Sequence, residues 1–230
     1  MKKVFPLLVI FAIICVCCKS TKATNSLPEP AFVESPNFTS SGSRVDDARK
    51  RAIDFESPAY FPSEWDAIEV RYATAATLPL STQGDIADAY DDIFRKTIQL
   101  YAQAREDEII FARDELISTG FIDFLPGYLK NSDKTALAAL KQYEEQDYYN
   151  ARDTAAIALD EYETLLIGAK VFLARNKIEN RSPVIGNSDN LKKGDELARK
   201  ARNEYETGNN KAAVVYAEEA LLYYDILLAN

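Results

Sequence analysis

The side chains that could carry chemistry in this chain of 230 residues are carboxylates, tyrosines and three cysteines, because the sequence contains no histidine. Its absence removes the commonest general base, the Ser-His and Cys-His nucleophiles and the usual zinc sites. The eight glycines are scattered and form no phosphate-binding loop. Carboxylates such as Glu144, Glu161 and Glu204 stand at helical spacing beside alanines, which is typical of a solvated helix face. We therefore expect no enzymatic activity, no cofactor and no metal site.

The element that would position many of these side chains is a helical hairpin that occurs twice. Residues 136–166 align with residues 198–228 without a gap at an offset of 62 residues, the signature of a repeat. In each copy three alanines mark one seam, where small side chains let two antiparallel helices approach closely. These alanines are Ala139, Ala151 and Ala158 in the first copy and Ala201, Ala213 and Ala220 in the second.

The turn of each hairpin also follows the repeat. It contains Gln146 in the first copy and Gly208 in the second, and glycine suits the left-handed backbone that often ends a helix. At these alanines and turns the chain resembles the tetratricopeptide repeat (TPR), a family of stacked helical hairpins. The resemblance implies an all-α fold in which antiparallel helical hairpins stack in a TPR-like array over residues 45–230.

Tyrosines divide into those that recur at the offset of 62 and those that do not. Recurring tyrosines are expected to pack in the core with their hydroxyls at its edge. Tyr148, Tyr149 and Tyr223 do not recur, so they are the candidate partner-binding residues on a concave surface of the kind that solenoids display. The recurring tyrosines are Tyr143, Tyr162, Tyr205 and Tyr224.

The beginning of the chain reads as a secretory signal peptide. Two lysines precede an apolar stretch, residues 4–16, that is too short for a stable membrane span. Cys15, Cys17 and Cys18 lie at its end, and no cysteine follows them. We therefore expect an exported domain without disulfides, stabilised by packing.

Residues 14–20 resemble a bacterial lipobox, in which the signal is cut before a cysteine whose thiol receives a diacylglycerol. The resemblance implies a signal peptide over residues 1–17 and lipidation of Cys18, with Cys17 as the second candidate and Cys15 as the third. Acyl chains such as palmitate would then anchor the protein to a bacterial membrane, at the periplasmic or outer-membrane face of the cell envelope. Residues 18–44 would form the lipidated cysteine and a flexible tether rich in Pro, Ser, Thr and Asn.

Between tether and repeats, the apolar periodicity predicts helices over residues 46–56 and 63–76 and a long helix from about residue 84 to 118. Ser132 or Asp133 is expected to cap the next helix. The intervening segment, residues 120–129, is short and strongly apolar. It either plugs the core or forms the lip of a ligand cavity through Phe121, Phe124 and Leu125.

The charge of the chain limits its partners. The net charge is −9, and removal of Lys2 and Lys3 with a signal peptide takes the basic residues from 27 to 25 against 36 acidic ones, a net charge of −11. This balance argues against nucleic acid and against electrostatic docking on anionic lipid, so membrane attachment would depend on the lipid anchor.

Two functions fit these expectations. The first is a non-catalytic protein-interaction scaffold that binds envelope proteins. The chain is similar to alanine-rich helical lipoprotein domains that accompany OmpA-like peptidoglycan-binding domains, and this resemblance implies an OmpA-like protein in trans as one partner. The alternative is a carrier of a small apolar ligand, resembling the TPR-like lipoproteins of TRAP-type transporters. A cavity beneath Phe121, Phe124 and Leu125 would favour the carrier, and a closed core with an exposed tyrosine groove would favour the scaffold.

Overall fold

The computed structural model describes residues 44–74, 77, 79–124, 126–181 and 188–229, and among these residues there are helices and no strand. The all-α prediction is confirmed. The chain divides into two units, Met1–Ser41 and Gly42–Asn230, and every helix below belongs to the second. The predictions of a signal peptide, of lipidation at Cys18 and of a tether concern residues that lie outside the described ranges, apart from Arg44.

The helices in chain order are α1 Arg44–Asp54, α2 Ser57–Tyr60, α3 Pro62–Tyr72, α4 Leu80–Ser118, a 3-10 turn Phe121–Asp123, α5 Pro126–Glu144, α6 Tyr148–Glu179, α7 Asp189–Glu206 and α8 Asn210–Ala229. Both copies of the repeated hairpin are present, α5 with α6 and α7 with α8. Helix α6 also packs against α4 and α8, and the long helix α4 packs against α1 and α3.

The predicted start of α5, the first helix of the first hairpin, is wrong. Helix α5 begins at Pro126, so Ser132 and Asp133 lie inside the helix rather than at its cap. Proline suits a first helical position because it has no N–H to leave unpaired. The side chain of Ser132 is fully buried, and that of Asp133 is used in an ion pair described below.

The alanine seams explain how the hairpins close. All six seam alanines are buried, and Ala139, Ala151, Ala158 and Ala220 are completely inaccessible to solvent. With no side chain beyond Cβ, two helix backbones can approach closely, and larger apolar residues then pack on either side of the seam. The seam prediction is therefore confirmed.

Both hairpin turns use the same backbone geometry. Gln146 has φ 63° and Gly208 has φ 80°, and the following N–H reaches back to a helix carbonyl: Asp147 to Gln142 at 2.9 Å and Asn209 to Glu204 at 2.8 Å. This is the Schellman arrangement that ends many helices. Gln146 adopts it with a side chain that disfavours positive φ, whereas glycine in the second copy does so without strain.

A polar contact recurs three times in the described part of the fold, and we call it the Arg–acid–Tyr triad. A tyrosine hydroxyl and an arginine both donate to one carboxylate on a neighbouring helix. In every triad the arginine precedes the acid by 20 residues, and the tyrosine follows it by 21 in the first triad and by 29 in the others. The triads are Arg49 with Glu69 and Tyr90, Arg113 with Asp133 and Tyr162, and Arg175 with Asp195 and Tyr224.

The geometry of the triads makes them strong contacts. Arg113 forms a bidentate pair with Asp133, donating from two nitrogens to its two oxygens at 2.8 and 3.2 Å. Arg49 forms the same bidentate pair with Glu69, at 2.7 and 2.9 Å. The hydrogen bond from Arg49 lowers the pKa of Glu69. Burial, together with the hydrogen bond to Asp133, raises the pKa of Tyr162, so this tyrosine remains a neutral donor.

Each triad tyrosine lies in a separate apolar cluster. Tyr90 is buried with Phe55, Trp65 and Ile93 in the first cluster. The second cluster surrounds Tyr162 and the third surrounds Tyr224. Because these phenol rings are completely or almost completely buried, each hydroxyl needs a partner inside the protein, and the triad carboxylate supplies it. The second cluster also includes Leu116, Ala136, Leu165 and Ala169. The third also includes Val171, Ile178, Leu191, Leu197 and Ala217.

The triads generate a prediction about stability. Tyr162→Phe keeps the buried ring and removes only the hydroxyl donor to Asp133, so we expect the free energy of unfolding to fall by about 1.5–3 kcal/mol, the range for hydrogen bonds to charged groups. Chemical denaturation of the full chain measures the change. Tyr148→Phe is the control, because Tyr148 is half-buried against the first cluster and takes no part in a triad, and it should unfold like the wild type. Equal stability of the two variants would contradict the prediction.

Candidate functional site

A cavity of about 510 Å³ lies between α6, α7 and α8, and we call it the α6–α8 cavity. Helix α6 contributes one face to it, with Thr164, Gly168 and Arg175 four and seven residues apart. The wall is mostly apolar, and its volume falls in the range of small-molecule sites, about 300–1,000 Å³. Small side chains leave the space open on the α7 and α8 sides. These are Ala198, Ala201, Ala213 and Ala217.

The predicted ligand lip lies in part at this cavity. Phe121 is buried, lines the cavity and packs edge-on against Phe172, which also lines it, with ring centroids 5.5 Å apart. Phe124 is 62% exposed, and its ring also packs against Phe172, with ring centroids 5.2 Å apart. Leu125 lies outside the described residues. The apolar segment therefore packs as a plug through Phe121 and also forms part of the cavity wall.

The predicted partner-binding tyrosines do not share one surface. Tyr148 and Tyr149 are half-buried against the first cluster, where their rings meet Phe55 at 6.5 and 5.2 Å. The hydroxyl of Tyr149 donates to Asp54 at 3.1 Å. Tyr223 is half-buried against the third cluster. No tyrosine groove formed by these three residues exists among the described elements.

One triad forms part of the cavity wall. Arg175, Asp195 and Tyr224 all line the cavity, with both donors 2.6 Å from Asp195 Oδ1. Of these three residues only Tyr224 was predicted from the sequence, and Arg175 and Asp195 were missed. The signal was present, because Arg113 aligns with Arg175, and Asp133 with Asp195, at the same offset of 62 residues.

A second polar group lies behind the cavity wall. Ser132 Oγ and Glu161 Oε2 are buried without a hydrogen-bond partner among the described residues. Burial raises the pKa of the Glu161 carboxyl, and the nearby hydroxyls of Thr135 and Ser132 oppose that rise. Tyr205, which lines the cavity, also has its pKa raised by burial. These groups place a desolvated carboxyl next to the cavity wall.

Two other features, a metal site and a membrane span, are not found in the described part of the chain. No group of three or more acidic residues there is arranged to hold a metal ion. None of the helices within the described ranges is both long enough and apolar enough to cross a bilayer. Asp195, the one carboxylate in the described wall of the α6–α8 cavity, already accepts two hydrogen bonds.

Comparison of the chain with protein-family models, with curated proteins and with solved structures gives no significant match. The arguments about function therefore rest on the residues and on the geometry described above.

Glu161 generates a prediction about pH. Because its folded-state pKa is raised, ionised Glu161 weakens the fold at neutral pH, and this penalty disappears as pH falls to the ordinary value of 4.5 and below. Glu161→Gln should therefore raise the thermal midpoint at pH 7 and leave it unchanged near pH 4, as scanning calorimetry would measure. Glu163→Gln is the control, because Glu163 is exposed on the same helix. A destabilised Glu161→Gln protein at pH 7 would contradict this explanation.

Proposed function

We propose that this protein is a non-catalytic carrier that holds a small apolar ligand in the α6–α8 cavity and is tethered by lipid to a membrane of the bacterial cell envelope. The observation that carries the proposal is the cavity of about 510 Å³, with its mostly apolar wall and its few placed polar groups. Sites for small molecules commonly have this character. The resemblance to the TPR-like lipoproteins of TRAP-type transporters supports the same function.

The position of Phe121 adds to the proposal. A cavity beneath the apolar segment 120–129 is what the carrier function requires. Phe121 of this segment lines the α6–α8 cavity, with Phe172 beside it. Phe124 is exposed and packs against the same Phe172 ring, which supports a role for this segment at the cavity edge. Aromatic rings give such a wall much contact area at small entropic cost.

Membrane tethering is the second part of the proposal, and it rests on the sequence alone. The apolar stretch that ends in Cys15, Cys17 and Cys18 resembles a lipobox, and the strongly acidic composition would not hold the protein on anionic lipid. Attachment through acyl chains would place the carrier close to a membrane source of apolar molecules.

Native mass spectrometry of the full-length protein, extracted gently from membranes, tests the carrier. We expect a mass above that of the polypeptide with its covalent lipid, and this excess should leave on denaturation because the ligand is held by burial alone. A covalent acyl group would stay, so the two contributions separate. The bare lipidated mass in repeated preparations would contradict the carrier.

Fractionation of cells that express Cys18→Ser tests the tether. The variant should move from the membrane fraction to the soluble envelope fraction and should lose incorporation of labelled palmitate, because the acceptor thiol is gone. Cys17→Ser is the matched control and should remain bound. If Cys17→Ser alone releases the protein, the lipidated residue is Cys17; if both single variants stay bound and labelled, the assignment to either cysteine is wrong.

The second candidate function is a protein-interaction scaffold for envelope proteins, including an OmpA-like protein in trans. It is supported by three large apolar side chains that lie exposed along one face of α8: Val215, Leu222 and Ile226. If the carrier test gives the bare mass, crosslinking in intact envelopes from positions on this face would be the next measurement.

A further inference from the structure

The charged groups in the wall of the α6–α8 cavity are all neutralised within the protein. In the described wall these are Arg175, Asp195 and Arg202. Arg175 pairs with Asp195 at 2.6 Å and with Glu179 at 2.9 Å, and Arg202 pairs with Glu206 at 2.7 Å. A charged group that enters the cavity would therefore meet no unpaired counter-charge in the described wall, and it would lose hydration where it lies against the apolar side chains.

Three of the four hydroxyl groups in the described wall, all except that of Tyr205, are committed in the same way. The Thr164 hydroxyl donates to the carbonyl of Asp160 at 2.7 Å, and the Tyr224 hydroxyl donates to Asp195 at 2.6 Å. The Tyr128 hydroxyl donates to Glu206 at 3.1 Å. The interactions that remain for a ligand are mostly dispersion and apolar burial.

Gly168 stands where the cavity meets α6, and close packing does not require a glycine there. A Cβ added at Gly168 would meet no heavy atom within 4 Å. At Gly194, by contrast, a Cβ would lie 2.5 Å from a ring carbon of Tyr224, so that glycine is required by its neighbour. A glycine inside a helix is less favourable than alanine, and at Gly168 the absence of a side chain leaves open volume in the cavity.

The repeat shows what stands at the same position elsewhere. Arg113 and Arg175 are equivalent triad members, and the residue seven positions before each is Glu106 in α4 and Gly168 in α6. Glu106 is half-buried, and burial raises the pKa of its carboxyl. The chain thus has a long side chain at this position in one repeat and none in the next.

We propose that the α6–α8 cavity selects an uncharged, largely hydrocarbon ligand and that Gly168 is the specificity-determining residue that makes room for it. This inference rests on the proposed carrier function and adds the class of ligand and the residue that admits it. A side chain at position 168 would project into the volume that the ligand occupies.

Two dyes with one aromatic frame test the inference on the full chain. N-phenyl-1-naphthylamine is uncharged, and 1-anilinonaphthalene-8-sulfonate is the same molecule with an added sulfonate. Fluorescence titration should give a Kd for the uncharged dye at least about tenfold lower than for the sulfonate, because the sulfonate would be buried unpaired. Gly168→Leu should weaken binding of the uncharged dye by about tenfold or more.

Gly127→Leu is the matched control. Gly127 is exposed in the first turn of α5, an added Cβ there would also meet nothing within 4 Å, and it does not line the cavity. This variant should bind like the wild type. Circular dichroism should show that Gly168→Leu stays folded, since leucine favours a helix over glycine, and Gly168→Ala should show an intermediate loss of binding.

The contrary outcomes are distinct. If both dyes bind equally and Gly168→Leu removes both, the cavity is a site but the inference of an uncharged ligand is wrong, and the carrier function stands. If the uncharged dye binds folded Gly168→Leu and Gly168→Ala as tightly as the wild type, the role of Gly168 is wrong. If neither dye binds and native mass spectrometry gives the bare mass, the carrier function itself is overturned.

Discussion

The hydrogen bond from a buried tyrosine to a carboxylate that an arginine also holds is the contact on which this fold depends. Each triad joins three helical segments: one that carries the arginine, one that carries the acid and one that carries the tyrosine. The tyrosine ring fills the apolar cluster, while its hydroxyl cannot be buried alone. The acid therefore has to be present at a fixed place, and the arginine supplies its counter-charge. Packing and polar satisfaction thus specify the same arrangement of helices.

The α6–α8 cavity lies where the triad and the alanine seam are kept but the space between the helices is not filled by side chains. The third triad keeps Arg175, Asp195 and Tyr224 in place, and the alanine seam of α8 is retained. What changes is the filling, because Gly168 replaces the long side chain of Glu106 in the preceding repeat. The contacts that hold the helices are separate from the contacts that would fill the space between them. A repeat can therefore keep the contacts that hold its helices together while it leaves an open cavity between them.

The sequence was sufficient for much of the fold. A gapless offset of 62 residues identified the two hairpins, their alanine seams and their turns, because each of these depends on local spacing. No triad was predicted. The offset relates the second and third triads, whose arginine and aspartate were overlooked, and it does not extend to the first, because Tyr90 follows Glu69 by 21 residues where the later copies have 29. The start of α5 was placed too late because Ser132 and Asp133 are typical cap residues, and their burial and pairing depend on contacts distant in sequence. The sequence left open whether residues 120–129 plug the core or border a ligand cavity, because an empty volume is set by how three helices pack. The role of glycine at position 168 likewise depends on neighbours that only the structure shows.

The triads overlap on the long helices, since α4 carries both Tyr90 and Arg113 and α6 carries both Tyr162 and Arg175. The border between two repeats therefore falls in the middle of a continuous helix and not in a loop. A duplicated segment of one period, inserted at such a border, would join helix to helix in register and would need no new turn. Arrays of this kind can lengthen or shorten by whole units through recombination inside a helix, where most helical proteins would require a new connecting loop.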